Sequence, residues 1–327
     1  MKAVWYEKTG KSEDVLQIGE MECPTPEPGE VRVRLHASGI NPSDVKTRAG
    51  ARGALAFPKI IPHSDGAGII DAVGKNVSEE RIGERVWIYN AAWKRAEGTA
   101  AQFVTVPVGL TVPLPENTLF EEAACFGIPA MTAHRVVFSE GSVKGKTVLI
   151  TGGAGAVGHY AIQWAKWGGA RVVTTVSSKE KAVHAKTAGP DLVLNYKTDD
   201  LVSEILKYTN NEGVDLIGEV EFGGNLDVSK QVVKANGTIA AYGSVADPEP
   251  KIPFYEMMFK GVTLRTILVY VLSDDAREAA ITDFDKILNE GFFKHAIGQI
   301  FPLEEIVQAH RTVENAEAIG NVVLKIS

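Results

Sequence analysis

Gly153, Gly155 and Gly158 stand in G-x-G-x-x-G spacing, and that spacing is where this chain first promises chemistry. An apolar run, Val148-Leu149-Ile150, comes directly before them, and a helical pattern from about Val157 to Trp167 comes directly after. Between a strand and a helix, such a turn can cradle a phosphate. The first glycine permits the tight turn, the second lets the backbone approach a pyrophosphate, and the third lets helix pack on strand. Unpaired N–H groups and the positive end of the helix dipole then face the anion. The competing reading is a glycine-rich turn that merely packs closely.

Which dinucleotide the turn would hold depends on the end of the next strand. A site for an unphosphorylated ribose places Asp or Glu about 20 residues on. Here the chain reads Thr174-Thr175-Val176-Ser177-Ser178-Lys179-Glu180-Lys181. No acid sits at the strand end, and Glu180 falls one step into the following helix. Two hydroxyls and two lysines suit a 2′-phosphate, and therefore NADPH. Ser177-Ser178 also reads as a plain helix N-cap.

The elements that must position these residues fall into two styles. Over the first hundred or so residues, Val31–Ala37 alternates strictly, with further short strands at Gly68–Val73, Arg85–Tyr89 and Ala101–Pro107. Gly and Pro separate them, which predicts a compact, barrel-like β domain. From about Glu121 strands and helices alternate, predicting parallel βαβ units with right-handed crossovers. Strands are expected at Arg171–Val176, Leu192–Leu194, Val214–Val220 and Gly237–Tyr242, with one or two more in Gly261–Leu272. Helices are expected near Lys179–Thr187, Asp199–Lys207 and Asn225–Val233, and the tail from Asp274 holds one or two more before a last strand, Asn321–Ile326.

Bulk properties narrow the class. The chain has 327 residues, long enough for two domains. It is 45% hydrophobic and 23% charged, as a globular protein should be. Its 34 Lys and Arg against 41 Asp and Glu give a net charge of −7, which argues against nucleic acid as a partner. No apolar run approaches the roughly 20 residues of a membrane span, and Met1–Trp5 runs into strand-like sequence without a signal-peptide pattern. Two cysteines, Cys23 and Cys125, exclude a thiolate zinc cluster and a disulfide framework. A reducing, cytoplasmic setting fits.

Further motifs occur in order along the chain: Gly39-Ile40-Asn41-Pro42-Ser43-Asp44, Ser64-Asp65-Gly66-Ala67-Gly68, Gly83-Glu84-Arg85-Val86, and Gly127-Ile128-Pro129-Ala130-Met131-Thr132-Ala133. With the glycine turn they resemble the medium-chain dehydrogenase/reductase superfamily, most closely its zinc-free, ζ-crystallin-like quinone oxidoreductase branch. The resemblance covers essentially the whole chain. It implies an α/β protein with a GroES-like β-barrel catalytic domain over 1–121, completed by 273–327, and a doubly wound, parallel-sheet Rossmann domain over 122–272.

The resemblance also assigns residues. It places Asn41 and Lys46 facing the nicotinamide and substrate, and Thr132 as the hydroxyl near the nicotinamide. Gly155, Ala156, Val157 and Gly158 face the pyrophosphate, while Ser177, Lys181 and Tyr196 surround the 2′-phosphate. Tyr242, Gly243 and Ser244 lie near the adenosine and its ribose, and Ile267, Leu268 and Val269 approach the nicotinamide. Two departures stand out: Asn315-Ala316 replaces an arginine that some members aim at the 2′-phosphate, and Lys46 replaces a frequent tyrosine. Zinc-dependent relatives carry Cys at Asn41, a His-Glu pair at Ser64-Asp65 and a third ligand near Phe126. His63 and Cys125 lie one position away, but two ligands do not make the usual three-ligand site. No metal is expected.

Without zinc, a carbonyl loses its Lewis acid, so the acceptor must take hydride readily. That leaves a small-molecule quinone, or an enone whose C=C is conjugated to a carbonyl. Asn41, Lys46, Tyr89, Trp87 and Trp93 are the candidate donors in a substrate pocket bounded by Tyr89–Arg95, with Trp93 alternatively a packed loop anchor. His63 is either an acid/base or a hydrogen-bonded structural histidine, and Cys125 reads as a small buried hydrophobe. Two alternatives remain: a 2-enoyl thioester reductase of the same branch, and a non-catalytic NADPH-binding protein of crystallin-like or regulatory type. The β-branched run Thr266–Leu272 reads as an exposed sheet-edge strand, where relatives join two Rossmann sheets in a homodimer.

Overall fold

The computed structural model describes residues 1–326 and divides them into two compact units. One comprises Met1–Pro129 and the segment from His295 onward; the other is Ala130–Lys294. Both divisions fall later than the expected 121/122 and 272/273. For the second division the reason is aromatic packing: Trp164 meets Phe284 and Phe293 edge-on, with centroids 5.2 and 4.9 Å away, which commits that stretch to the second unit's core.

In the first unit, Lys2–Trp5 (β1) pairs antiparallel with Gln17–Glu20 (β2) around a single turn, Ser12–Val15 (α1). Glu30–Ile40 (β3), Asp65–Val73 (β4), Arg85–Ile88 (β5), Phe103–Pro107 (β6) and Thr111–Pro113 (β7) follow, with helices Pro42–Ala49 (α2) and Phe120–Ala123 (α3). Val31, Val33 and Leu35 point inward from β3 while Arg32 and Arg34 point away, the period-2 pattern of a half-buried strand. The β3–β4 register is broken twice, by an extra residue on β4 opposite Arg32/Val33 and by one on β3 between Leu35 and Ala37.

A π-type turn, Phe126–Ala130, closes this part of the first unit, and the second opens with a helix, Met131–Phe138 (α4). Strands Thr147–Ile150 (β8), Arg171–Val176 (β9), Leu192–Asn195 (β10), Val214–Glu219 (β11), Val233–Ala241 (β12) and Thr263–Thr266 (β13) alternate with helices Ala156–Trp167 (α5), Lys179–Lys186 (α6), Leu201–Tyr208 (α7), Phe222–Val232 (α8) and Phe254–Lys260 (α9). A long helix, Asp274–Asn289 (α10), ends it. All ladders are parallel and the order is β10-β9-β8-β11-β12-β13, a doubly wound Rossmann sheet. Successive strands are added in one direction from β8 to β10 and in the other from β11 to β13, so the crevice beyond the carboxyl end of β8 is the expected ligand position. At the β13 edge the strand is Thr263–Thr266 alone. Beyond Thr266 the backbone leaves the sheet and tightens into a 3-10 turn, Val269–Val271, so Thr266–Leu272 is not the continuous strand its β-branching predicts. Buried Ile267, Val269 and Tyr270 explain the apolar run instead.

Ile297–Pro302 (β14), Ile306–Glu314 (α11) and Asn321–Lys325 (β15) complete the first unit. Its sheet runs β14-β15-β3-β4-β5-β7, with β6 along Glu30–Arg34 of β3 and β15 along Ala37–Ile40. No ladder joins β7 to β14 among the described residues, so the barrel is partly open. No helix among them is long and apolar enough to cross a membrane.

Candidate active site

The glycine turn forms as expected, but its glycines divide the work differently. Gly152, just ahead of the motif, takes the left-handed backbone, φ 68°. Gly153 is a packing glycine: a Cβ there would lie 2.0 Å from Thr174 Oγ1 on β9. Gly158 is another, its Cβ position 2.3 Å from the Gly152 carbonyl. Gly155 caps α5, and a Cβ on it would meet only the Gly152 oxygen, at 3.3 Å. The N–H groups of Ala156, Val157 and Gly158 have no acceptor among the described residues. The bare backbone of Gly155, unpaired donors and the helix dipole make an anion seat here.

At the end of β9, Ser178 caps α6 by accepting from Lys181 N at 3.2 Å. The N-cap reading is therefore right for Ser178. Ser177 stands one position earlier and half-buried. Lys181 is half-buried in the first turn of α6, and its ammonium forms no ion pair among the described residues. Tyr196, 52% exposed, borders a cavity of about 230 Å³ together with Thr151, Gly152, Thr175, Val220 and Glu221.

Buried Glu219 braces that cavity. Its carboxylate accepts from Thr151 Oγ1 at 2.7 Å, Glu221 N at 2.8 Å, Asn225 Nδ2 at 2.8 Å and Ser229 Oγ at 3.1 Å. Burial pushes its pKa up, opposed by those hydrogen bonds. Thr132 is buried in the first turn of α4. Ser244 does not present a free hydroxyl: it accepts from Gly223 N at 2.9 Å and donates to the Asp247 carbonyl. Tyr242 and Gly243 are half-buried at the end of β12, and of the next group only Leu268 is exposed, while Ile267 and Val269 are buried.

In the first unit the candidate residues gather around one acid that composition did not single out. Asn41 is the N-cap of α2 and only 3% exposed. Its Nδ2 donates to Asp65 Oδ2 at 2.8 Å, and Ile128 N donates to the same oxygen at 2.9 Å. Asn41 N donates to Asp44 Oδ2 at 2.8 Å. Burial pushes the Asp65 carboxyl well above its usual range, and the charge of Asp44 adds to this. Burial likewise pushes Asp44 up to about 7. Gly127 makes room for the acid: a Cβ there would lie 2.3 Å from Asp65 Oδ1. The signal was a carboxylate inside the apolar, glycine-rich run Asp65–Ile70. Lys46 is exposed on the same helix as Asn41.

Several expected donors point elsewhere. Tyr89 is 2% exposed and its hydroxyl donates to the Gly109 carbonyl at 2.6 Å, so it is a packing residue rather than a substrate donor. Trp87 is fully buried, which removes it from a substrate mouth. Trp93 is half-buried with the Lys94 ammonium over its ring at 5.8 Å, an arrangement that matches a loop anchor. His63 is buried between Ser38 Oγ and His310 Nε2, both at 2.9 Å, and burial lowers its pKa to about 3. That is a neutral, structural imidazole. Cys125 is buried and its thiol is pushed well up by burial, leaving no thiolate.

Comparison with known proteins gives the same picture. Residues 27–116 match the family model for the alcohol dehydrogenase GroES-like domain, and residues 156–285 match the model for zinc-binding dehydrogenases. The human quinone oxidoreductase is 27% identical over 326 residues, covering 99% of this chain and 97% of that protein. A 2-haloacrylate reductase from a Burkholderia species is 29% identical over 334 residues, covering 99% and 98%. Mycobacterial Rv1454c, solved in complex with NADPH, superposes with a TM-score of 0.87 at 29% identity, covering 99% of each chain. Both halves of the fold and the order of the motifs agree with these matches, and the chain belongs to the quinone oxidoreductase branch of the medium-chain dehydrogenase/reductase superfamily of oxidoreductases.

Proposed function

We propose that the chain is an NADPH-dependent reductase that passes hydride to quinones or α,β-unsaturated carbonyls without a metal, in the cytoplasm. The observation that carries the cofactor is the end of β9, where Ser177 and an ion-pair-free Lys181 stand in place of a carboxylate, and where Thr175 of the same strand borders the Tyr196 cavity. The Ala156–Gly158 N–H groups hold the pyrophosphate, Lys181 and Ser177 hold the 2′-phosphate, and the cavity takes the adenosine. The NADPH complex of mycobacterial Rv1454c supports the same assignment.

Bound NADPH supplies the hydride. The protein orients the acceptor and keeps water away from it. Exposed Lys46 is the polar side chain of α2 available to the acceptor, while Asn41, buried and tied to Asp65, fixes the start of that helix. The zinc positions of relatives are filled here by Asn41, Ser64 and Phe126, and among the described residues no three His, Cys, Asp or Glu side chains gather as a ligand set. That donor set does not fit a catalytic zinc, despite the name of the matching family model. The 2-haloacrylate reductase relative favours a second acceptor class, a C=C bond conjugated to a carboxylate.

Turnover of NADPH with an ortho-quinone, an alkenal, a haloacrylate and ethanol, with and without chelator, tests this reading. Conjugated acceptors should react equally well with chelator present and ethanol should be inert; chelator-sensitive ethanol oxidation would overturn it. We also propose a homodimer joined at the outer side of β13, where exposed Leu268 and Val271 follow the edge strand. A monomer mass by light scattering across the micromolar range would contradict this.

A further inference from the structure

Glu221 begins α8 with its backbone and ties down a second segment with its side chain. Its Oε1 accepts from Gly224 N at 3.4 Å and Ala246 N at 3.0 Å, and its Oε2 accepts from Val245 N at 2.8 Å. One carboxylate thus fills a nest of three backbone N–H groups drawn from the first turn of α8 and the loop after β12. Ser244 supplies a parallel tie through Gly223 N. Gly223 permits the approach, because a Cβ there would lie 2.2 Å from the Asp247 carbonyl. Little else anchors this loop: Val245 is 66% exposed, and residues 245–249 lie open to solvent. Yet Glu221 and Val220 form one side of the 230 Å³ cavity.

We propose that Glu221 is a positioning residue for the cofactor: its carboxylate occupies the Gly224–Val245–Ala246 nest, tying the loop after β12 to α8 and so holding the Val220–Glu221 wall of the cavity in the shape that receives the adenosine. This rests on the adenosine reading of the cavity given above. The physical reasoning is one of preorganisation. A loop held before binding costs nothing to order when the cofactor arrives, whereas a freed loop must be ordered at the expense of affinity. The acid's negative charge is also neutralised by the nest rather than aimed at the phosphates nearby. A group acting this way changes cofactor binding in ground and transition states alike, so it shifts KM and leaves kcat in place.

The test compares wild type with Glu221→Ala and, as a milder variant, Ser244→Ala. NADPH affinity is measured by fluorescence titration, turnover with an ortho-quinone, and loop protection by amide hydrogen exchange. Glu221→Ala should weaken NADPH binding and raise its KM roughly ten-fold with kcat unchanged. Exchange at Val245 and Ala246 should quicken. Acetate at constant ionic strength should refill the nest and restore both affinity and protection in Glu221→Ala, with no effect on wild type. Should Glu221→Ala fail to fold, Ser244→Ala must show faster exchange at Gly223 and a smaller rise in KM. Wild-type NADPH affinity in a variant whose loop exchanges faster would overturn the proposal, as would weakened affinity that acetate leaves unrepaired. If wild type itself binds no NADPH, it is the cofactor reading that fails.

Discussion

The Asn41 side-chain amide donates to Asp65 Oδ2 at 2.8 Å, and Ile128 N shares that oxygen at 2.9 Å. One buried carboxyl group therefore fixes the cap of α2 and the turn Phe126–Ala130 together. Replacing Asp65 by Ala leaves two buried donors unpaired, each at a cost of about 1–3 kcal/mol. Asp65→Asn keeps an acceptor oxygen and should lose much less. Urea midpoints should rank wild type, Asn, then Ala. An Ala variant as stable as the wild type would show that the shared oxygen organises nothing.

Gly155 and Gly158 should separate binding from folding. A methyl at Gly158 collides with the Gly152 carbonyl, so Gly158→Ala should destabilise the protein by about 1–3 kcal/mol. A methyl at Gly155 meets only one atom, at 3.3 Å, yet it sits at the cap of the helix whose first N–H groups are unpaired. Gly155→Ala should therefore melt near wild type while losing NADPH affinity by about ten-fold or more. The reverse pattern, intact binding with a lower melting point, would contradict the anion seat.

The buried imidazole of His63 sets an acid limb. Its pKa falls from 6.5 to about 3 on folding, so the unfolded chain binds the extra proton between those values. The stability it contributes is complete above pH 6.5 and is lost progressively as pH falls toward 3. Asp44 works in the opposite sense: its pKa rises from 3.8 to about 7, so its contribution is lost as pH rises through that window. The difference between wild type and His63→Gln isolates the histidine. The gap in urea midpoint should shrink from pH 7 to pH 4; a constant gap would mean that His63 titrates normally in the folded protein.

Much of the fold is legible in the sequence. Strands β8 to β12 and helices α5 to α8 follow from apolar runs and periodicity, because a sheet covered on both faces leaves an unambiguous apolar signature. Lys181 sits in the first turn of α6, and Tyr196 borders the same cavity as Gly152 and Thr175. What escaped was the use of each polar group. Tyr89 and Ser244 look like free hydroxyls in sequence, and only the fold brings a Gly109 carbonyl or a Gly223 N–H to them. Thr266–Leu272 has the composition of a strand, but tertiary burial of Ile267, Val269 and Tyr270 bends it into a turn. Asp65, Glu219 and Glu221 act through partners 2 to 68 positions away, and no spacing rule reveals such partners.

The most direct test of the central claim is steady-state oxidation of NADPH and NADH with an ortho-quinone, in chelator, by wild type and Lys181→Ala. A lost charge-assisted hydrogen bond to phosphate is worth about 1.5–3 kcal/mol. Wild type should therefore prefer NADPH, and Lys181→Ala should raise the KM for NADPH by about ten-fold or more while leaving NADH nearly unchanged. Equal use of both cofactors by the wild type, or no effect of the substitution on NADPH, would contradict the account.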